Sequence, residues 1–174
     1  MSSLKYLKHY SQELQAQITQ LIESEKLTKH ILKHYPTPHQ VSNDKMLREF
    51  TLEFKNRYIK KSDPLSKVIY DNKIHVVNNA LGLHSYASRV QGNKLKSKNE
   101  IRISSVFKKA PEAFLQMIVV HELAHLKEKD HNKAFYKLCC HMLPNYHQLE
   151  FDMRLYLTHL EFIGEVYLSE EQSR

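Results

Sequence analysis

The sequence predicts an α+β domain, and three observations predict it. Apolar residues recur at helical spacing through the first sixty positions, short β-rich segments are confined between residues 64 and 108, and helical spacing returns from Pro111 onward. The chain has 174 residues, 41% hydrophobic and 26% charged, a composition that excludes a disordered or fibrous protein and gives one domain room for a core.

Residues 4–35 read as helical, with Leu4, Leu7, Leu14, Ile18, Leu21 and Ile22 three or four apart and Leu27 and Ile31 following the polar Ser24-Glu25-Lys26. Tyr35-Pro36-Thr37-Pro38 ends that run. Ser42 or Asn43 then caps a second helix reaching about residue 61, with Met46, Leu47, Phe50, Phe54 and Tyr58 on one side. Its other side carries Lys55, Arg57, Lys60 and Lys61 and reads as solvated surface.

Ile74–Val77, His84–Val90 and Glu100–Phe107 read as strands. Gln91–Asn99 has turn chemistry at both ends and so makes a hairpin with a basic tip. The sheet is expected to be small and antiparallel or mixed. Pro111 suits the first turn of the next helix, whose stripe Phe114, Met117, Ile118, His121 and His125 makes it amphipathic; helices over 132–143 and 147–160 follow. The expected organisation is a helical N-terminal extension over 1–62, a core over 63–165 and a polar tail over 166–174.

Lysine and arginine number 26 against 19 acidic residues, a formal charge of +7 that favours an anionic partner. The two cysteines, Cys139 and Cys140, are adjacent and poorly placed for a disulfide, so an oxidising compartment is not required. The N-terminus lacks the apolar run of a signal peptide, and no apolar run reaches the ~18–20 residues that cross a bilayer. A cytoplasmic protein with no membrane association is expected.

The chemistry concentrates in Val120-His121-Glu122-Leu123-Ala124-His125-Leu126-Lys127-Glu128-Lys129-Asp130-His131. Two histidines four apart on a helix project from one face, so both imidazoles can reach a single ion at ~2.0–2.1 Å. Glu122 leans toward the same side, where a carboxylate that is not a ligand can take a proton from water. His131 is the candidate third ligand, provided the chain turns just after His125. With no glycine there, Asp130 or Asn132 is expected to supply a left-handed turn residue. Three nitrogens plus one solvent position is the open coordination of a catalytic zinc site; a structural site would close with four protein ligands. Seven other histidines, His9, His30, His34, His39, His75, His84 and His159, lack ligand spacing.

This motif at 118–131, followed by Phe135 and Pro144-Asn145-Tyr146, resembles the YgjP-like metallopeptidase domain of bacteria and is more remotely similar to the SprT and WLM minizincins. The resemblance covers about residues 74–156. It implies a zincin-like fold with the sheet packed on an active-site helix, one zinc ion per chain held by His121, His125 and His131, and Glu122 as the catalytic carboxylate.

Three readings follow. The first is a zinc metallopeptidase acting on a peptide or protein substrate, with Glu122 as general base and Tyr136, His141, Tyr146, His147 or Arg154 as the donor to the developing oxyanion. An extended peptide could add to the edge strand around Ser85–Val90. The second is a nucleotide phosphoanhydride hydrolase using the same groups, which the lysine excess suits although no phosphate-cradling glycine loop is present. The third is a DNA-associated protein with a structural zinc, in which the basic helix and hairpin tip bind phosphates and His141 or His147 closes the site.

Overall fold

A computed structural model describes residues 4–74, 88–93 and 96–168. The elements are a 3-10 turn at Lys5–Leu7, helices α1 (Gln12–Glu23), α2 (Leu27–His34) and α3 (Asp44–Tyr58), strands β1 (Leu65–Asp71), β2 (Ser88–Asn93) and β3 (Lys96–Ser104), a 3-10 turn at Ser105–Lys109, and helices α4 (Glu112–Ala124), α5 (Lys133–Met142) and α6 (Tyr146–Phe162). The architecture is α+β, as the sequence predicts.

The run expected as one helix over 4–35 is broken. The Ser11 hydroxyl accepts the Leu14 N–H at 3.2 Å and starts α1. At its end Glu25 adopts φ 57°, while the Lys26 N–H reaches the Leu21 carbonyl at 2.9 Å and the Glu25 N–H reaches Ile22 at 3.1 Å. Those two bonds are a Schellman closure, with glutamate in the position that glycine usually takes. For α3, Asn43 Oδ1 caps the Met46 N–H at 2.9 Å. The helix ends at Tyr58, three residues short of expectation, and Lys55 is buried on it instead of lying on the solvated face.

The sheet is mixed, in the order β1-β3-β2: β1 runs parallel to β3 and β2 antiparallel to it. β2 and β3 form the expected hairpin, but pairing continues to Asn93↔Lys96, so the strands run through most of the stretch expected as a loop. Ile101 and Ile103 alternate inward from β3, with Arg102 on the other face bonded to Asp71 at 3.0 Å.

Strand β1 is absent from the sequence expectation. Its buried residues are Leu65, Val68 and Tyr70, spaced three and then two, which matches no strand alternation. A register shift between Leu65 and Lys67 accounts for this: the irregularity consumes Ser66, whose hydroxyl bonds the Asn99 carbonyl at 3.0 Å, and returns Val68 to the face of Leu65. β1 is tied to α3 by Arg48 Nη1 on the Leu65 carbonyl at 3.1 Å and by Asp44 Oδ1, which accepts the Tyr70 N–H at 2.9 Å. The expected strand segments Ile74–Val77 and His84–Val90 lie outside the described residues except for Ile74 and Ser88–Val90, and only Ser88–Val90 are strand.

Helix α4 is the centre of the molecule. It buries Phe114, Leu115 and every residue from Met117 to Ala124, so it is enclosed on nearly all sides and is not the amphipathic helix expected. The main core joins α4 to Leu27 and Ile31 of α2, Leu47 of α3, the inner face of the sheet and Leu149, Met153 and Tyr156 of α6. A smaller cluster of Leu4, Leu7, Ile18 and Leu155 seats the N-terminus on α6. Among the described residues, no helix is long and apolar enough to cross a membrane.

Candidate metal centre

His121 and Glu122 occupy the last full turn of α4, and His125 is its C-cap, still in helical backbone geometry. The chain then turns without any left-handed residue. Leu126 N–H bonds Leu123 O at 3.1 Å, while Lys127 and Glu128 N–H both bond Ala124 O, at 3.0 and 2.9 Å; right-handed turns thus replace the left-handed Asp130 or Asn132 expected. Asn132 instead caps α5, its Oδ1 accepting the Phe135 N–H at 2.8 Å. This places His131 directly before α5 and aims it back at α4.

The three imidazoles converge. The Nε2 atoms of His121 and His125 are 3.2 Å apart, those of His121 and His131 3.3 Å, and those of His125 and His131 3.0 Å. No ring of hydrogen bonds can explain this triangle, since each edge would need one donor and one acceptor and a single Nε2 cannot be both. A shared cation can: tetrahedral bonds of ~2.0–2.1 Å set ligand nitrogens ~3.3 Å apart. The three residues fit a metal ion, and three imidazoles suit zinc and its transition-metal neighbours better than magnesium or calcium.

The outer nitrogens set the direction of the inner ones. His125 Nδ1 lies 3.0 Å from the Glu128 carbonyl, which only accepts, so Nδ1 carries the proton and the Nε2 lone pair faces the centre. His121 Nδ1 lies 2.7 Å from the Tyr146 hydroxyl. Burial lowers the pKa of His125, and burial together with the neighbouring His125 lowers that of His131, which keeps both rings in the neutral form that ligates. Phe135 forms an apolar floor, its centroid 4.9, 4.6 and 4.8 Å from the rings of His121, His125 and His131.

Glu122 is fully buried beside His121, and burial first, then the charges of Glu150 and others including Glu122, pushes the Tyr146 phenol well up. Among the five oxyanion candidates, Tyr136 is half-buried at the rim, 6.4 Å between centroids from His131, with His147 5.4 Å beyond it. Tyr146 is buried against His121. His141 packs edge-on to Tyr58 at 5.6 Å, away from the trio. Arg154 is spent on the Tyr6 carbonyl at 2.9 Å and Glu150 at 3.1 Å, so it ties the N-terminal turn to α6. Among the described residues the trio is joined by no fourth ligand, and neither His141 nor His147 belongs to it.

Glu150, absent from the expectations, acts electrostatically on His131, Tyr136 and Tyr146. Its sequence signal is a ladder of Tyr146, Glu150 and Arg154 at four-residue spacing, which sets the three on one face of the helix. His39 and His159 are structural: His39 Nε2 donates to Phe107 O at 2.6 Å, and His159 Nδ1 lies 2.8 Å from Gly164 O. His75 and His84 lie outside the described residues. Two surface cavities, about 380 and 890 Å3, sit between Lys108, Lys109 and Glu165–Tyr167 and do not include the trio; the convergence of nitrogens marks the site better than concavity does.

Residues 7–155 match the family described as YgjP-like, metallopeptidase domain. The chain belongs to the YgjP-like family. The matched span includes α1, α2 and α3, so the family likeness extends well before residue 74, and it supports a metal-dependent hydrolase. A curated relative from Escherichia coli (strain K12), named UTP pyrophosphatase, is 58% identical over 160 residues, covering 92% of this chain and 96% of its own. No solved structure matches.

Proposed function

We propose that this YgjP-like chain hydrolyses the phosphoanhydride of a nucleoside triphosphate, with one zinc ion held by His121, His125 and His131 and Glu122 as general base. The observation that carries the substrate class is the 58% identity, over nearly the whole of both chains, to a protein named UTP pyrophosphatase. The net charge of +7 suits a polyphosphate. The fit of three imidazoles to one cation supports the metal, and the cytoplasm, where nucleotides are abundant, is the setting proposed.

When bound, zinc would supply Lewis acidity to water and to a phosphoryl oxygen. The chain's own groups do the rest. Glu122, buried beside the trio, takes a proton from the attacking water and returns one to the leaving oxygen. Water adds across the anhydride, giving a nucleoside monophosphate and pyrophosphate. Tyr136, at the rim, is the donor to the charged oxygens of the reacting phosphate.

The family description favours a second reading, a metallopeptidase, because the same base and ligands can attack a carbonyl. Zinc-loaded protein incubated with UTP, and separately with an unfolded protein substrate, distinguishes the two: pyrophosphate release is expected, and cleavage of the protein with no turnover of UTP would overturn the nucleotide reading. Glu122→Gln is expected to retain about one zinc per chain and lose ~10²–10⁴-fold in turnover. Loss of zinc in that variant would reassign Glu122 as a ligand.

A further inference from the structure

We propose that Tyr146 is a positioning residue that holds His121 in the tautomer able to bind a metal ion through Nε2. The inference rests on the metal reading above and adds a group to it. His121 Nδ1 and the Tyr146 hydroxyl are 2.7 Å apart, and both residues are buried, His121 at 7% and Tyr146 at 1% exposure.

One proton lies on that contact, and its direction matters. If Tyr146 donated, Nδ1 would carry the lone pair and Nε2 a hydrogen, and His121 would present N–H to the point where His125 presents its lone pair. If Nδ1 donates, the phenol oxygen accepts and its own hydrogen must go elsewhere. The Tyr146 hydroxyl faces α5 as well as His121: Cys139, fully buried on that helix, acts electrostatically on the phenol. The direction that leaves Nε2 free to ligate is His121 Nδ1–H to Tyr146 Oη.

The arrangement parallels that of His125, whose Nδ1 is fixed by the Glu128 carbonyl. One ligand is thus oriented by backbone within its own turn, and the other by a side chain from α6. This assigns to Tyr146 a task other than oxyanion donation, for which its hydroxyl is turned to the wrong side of His121, away from the Nε2 that faces the cation.

The test is zinc affinity, measured on the full chain by competition with a chromophoric chelator, for wild type and Tyr146→Phe. The variant is expected to bind zinc ~10–100-fold more weakly, the usual effect of removing such an outer partner. Long-range 15N–1H spectra of zinc-loaded wild type provide a second readout that needs no variant. They are expected to show His121 protonated at Nδ1 and coordinated through Nε2. Equal zinc affinity in Tyr146→Phe, or coordination of His121 through Nδ1, would overturn the inference while leaving the metal reading intact. Wild type that binds no zinc would overturn the metal reading, and the inference with it.

Discussion

At His125 the helix has already ended, and that determines what its ring can do. A residue inside α4 would have its neighbouring carbonyls engaged by the helix ladder, whereas the C-cap position gives His125 Nδ1 the free carbonyl of Glu128. His131 has the opposite situation: it stands before α5 and is partly exposed, outside the helix that carries the other two histidines. His131→Ala is therefore expected to remove zinc, with metal content falling from about one ion to well under one per chain, while the metal-free thermal midpoint moves by only a few degrees; elemental analysis beside a melt checks both. The i, i+4 pair and Glu122 were legible in the sequence because helix geometry alone brings them together. His131 is legible as a spacing, but its turn is not, since right-handed turns carry the chain around without the left-handed residue that a glycine-free loop suggests. The role of Tyr146 was not legible, because it exists only once α6 packs on α4.

Among the elements, the junction of α1 and α2 carries a local cost. Glu25 is held at φ 57°, where a side chain crowds the backbone by ~1–2 kcal/mol relative to glycine. Part of the relief of that strain would be lost to the greater chain entropy of glycine, so Glu25→Gly is expected to stabilise the fold by about 0.5–1 kcal/mol and to raise the thermal midpoint by about 1–4 °C, read by calorimetry. A lowered midpoint would mean that the glutamate side chain contributes more than its strain costs. The same junction shows why the sequence suggested one helix over 4–35: apolar spacing continues across Ser24-Glu25-Lys26, and only the backbone reveals the break. β1 was hidden for a related reason. Its bulge at Ser66 changes the spacing of Leu65 and Val68 from two to three, so a periodic search meets a pattern belonging to neither strand nor helix. Where the alternation is regular, as at Ile101 and Ile103, the strand is recognisable.

Over the whole molecule, burial acts in one direction on several histidines. It lowers the pKa of His39, His125, His131 and His159 below the ordinary value near 6.5. Each therefore binds protons more weakly folded than unfolded, and the stability this confers is present above about pH 6.5 and is lost as pH falls through that value toward the folded pKa. Metal-free protein is expected to melt at progressively lower temperature from pH 7.5 to pH 5.5; a flat profile would show that these rings are better solvated than their packing implies. Acid also competes with any cation for the same lone pairs, so the metal-loaded protein should be the more sensitive of the two to mild acid. The turn between α4 and α5 has a further consequence. His125 and His131 bracket it, so an ion shared between them would staple the end of one helix to the start of the next across exposed Lys127 and Lys129. The α4 side of that join is already anchored without an ion, by Lys127 Nζ on the Lys61 carbonyl at 2.7 Å, so what an ion would add is a grip on the His131 side.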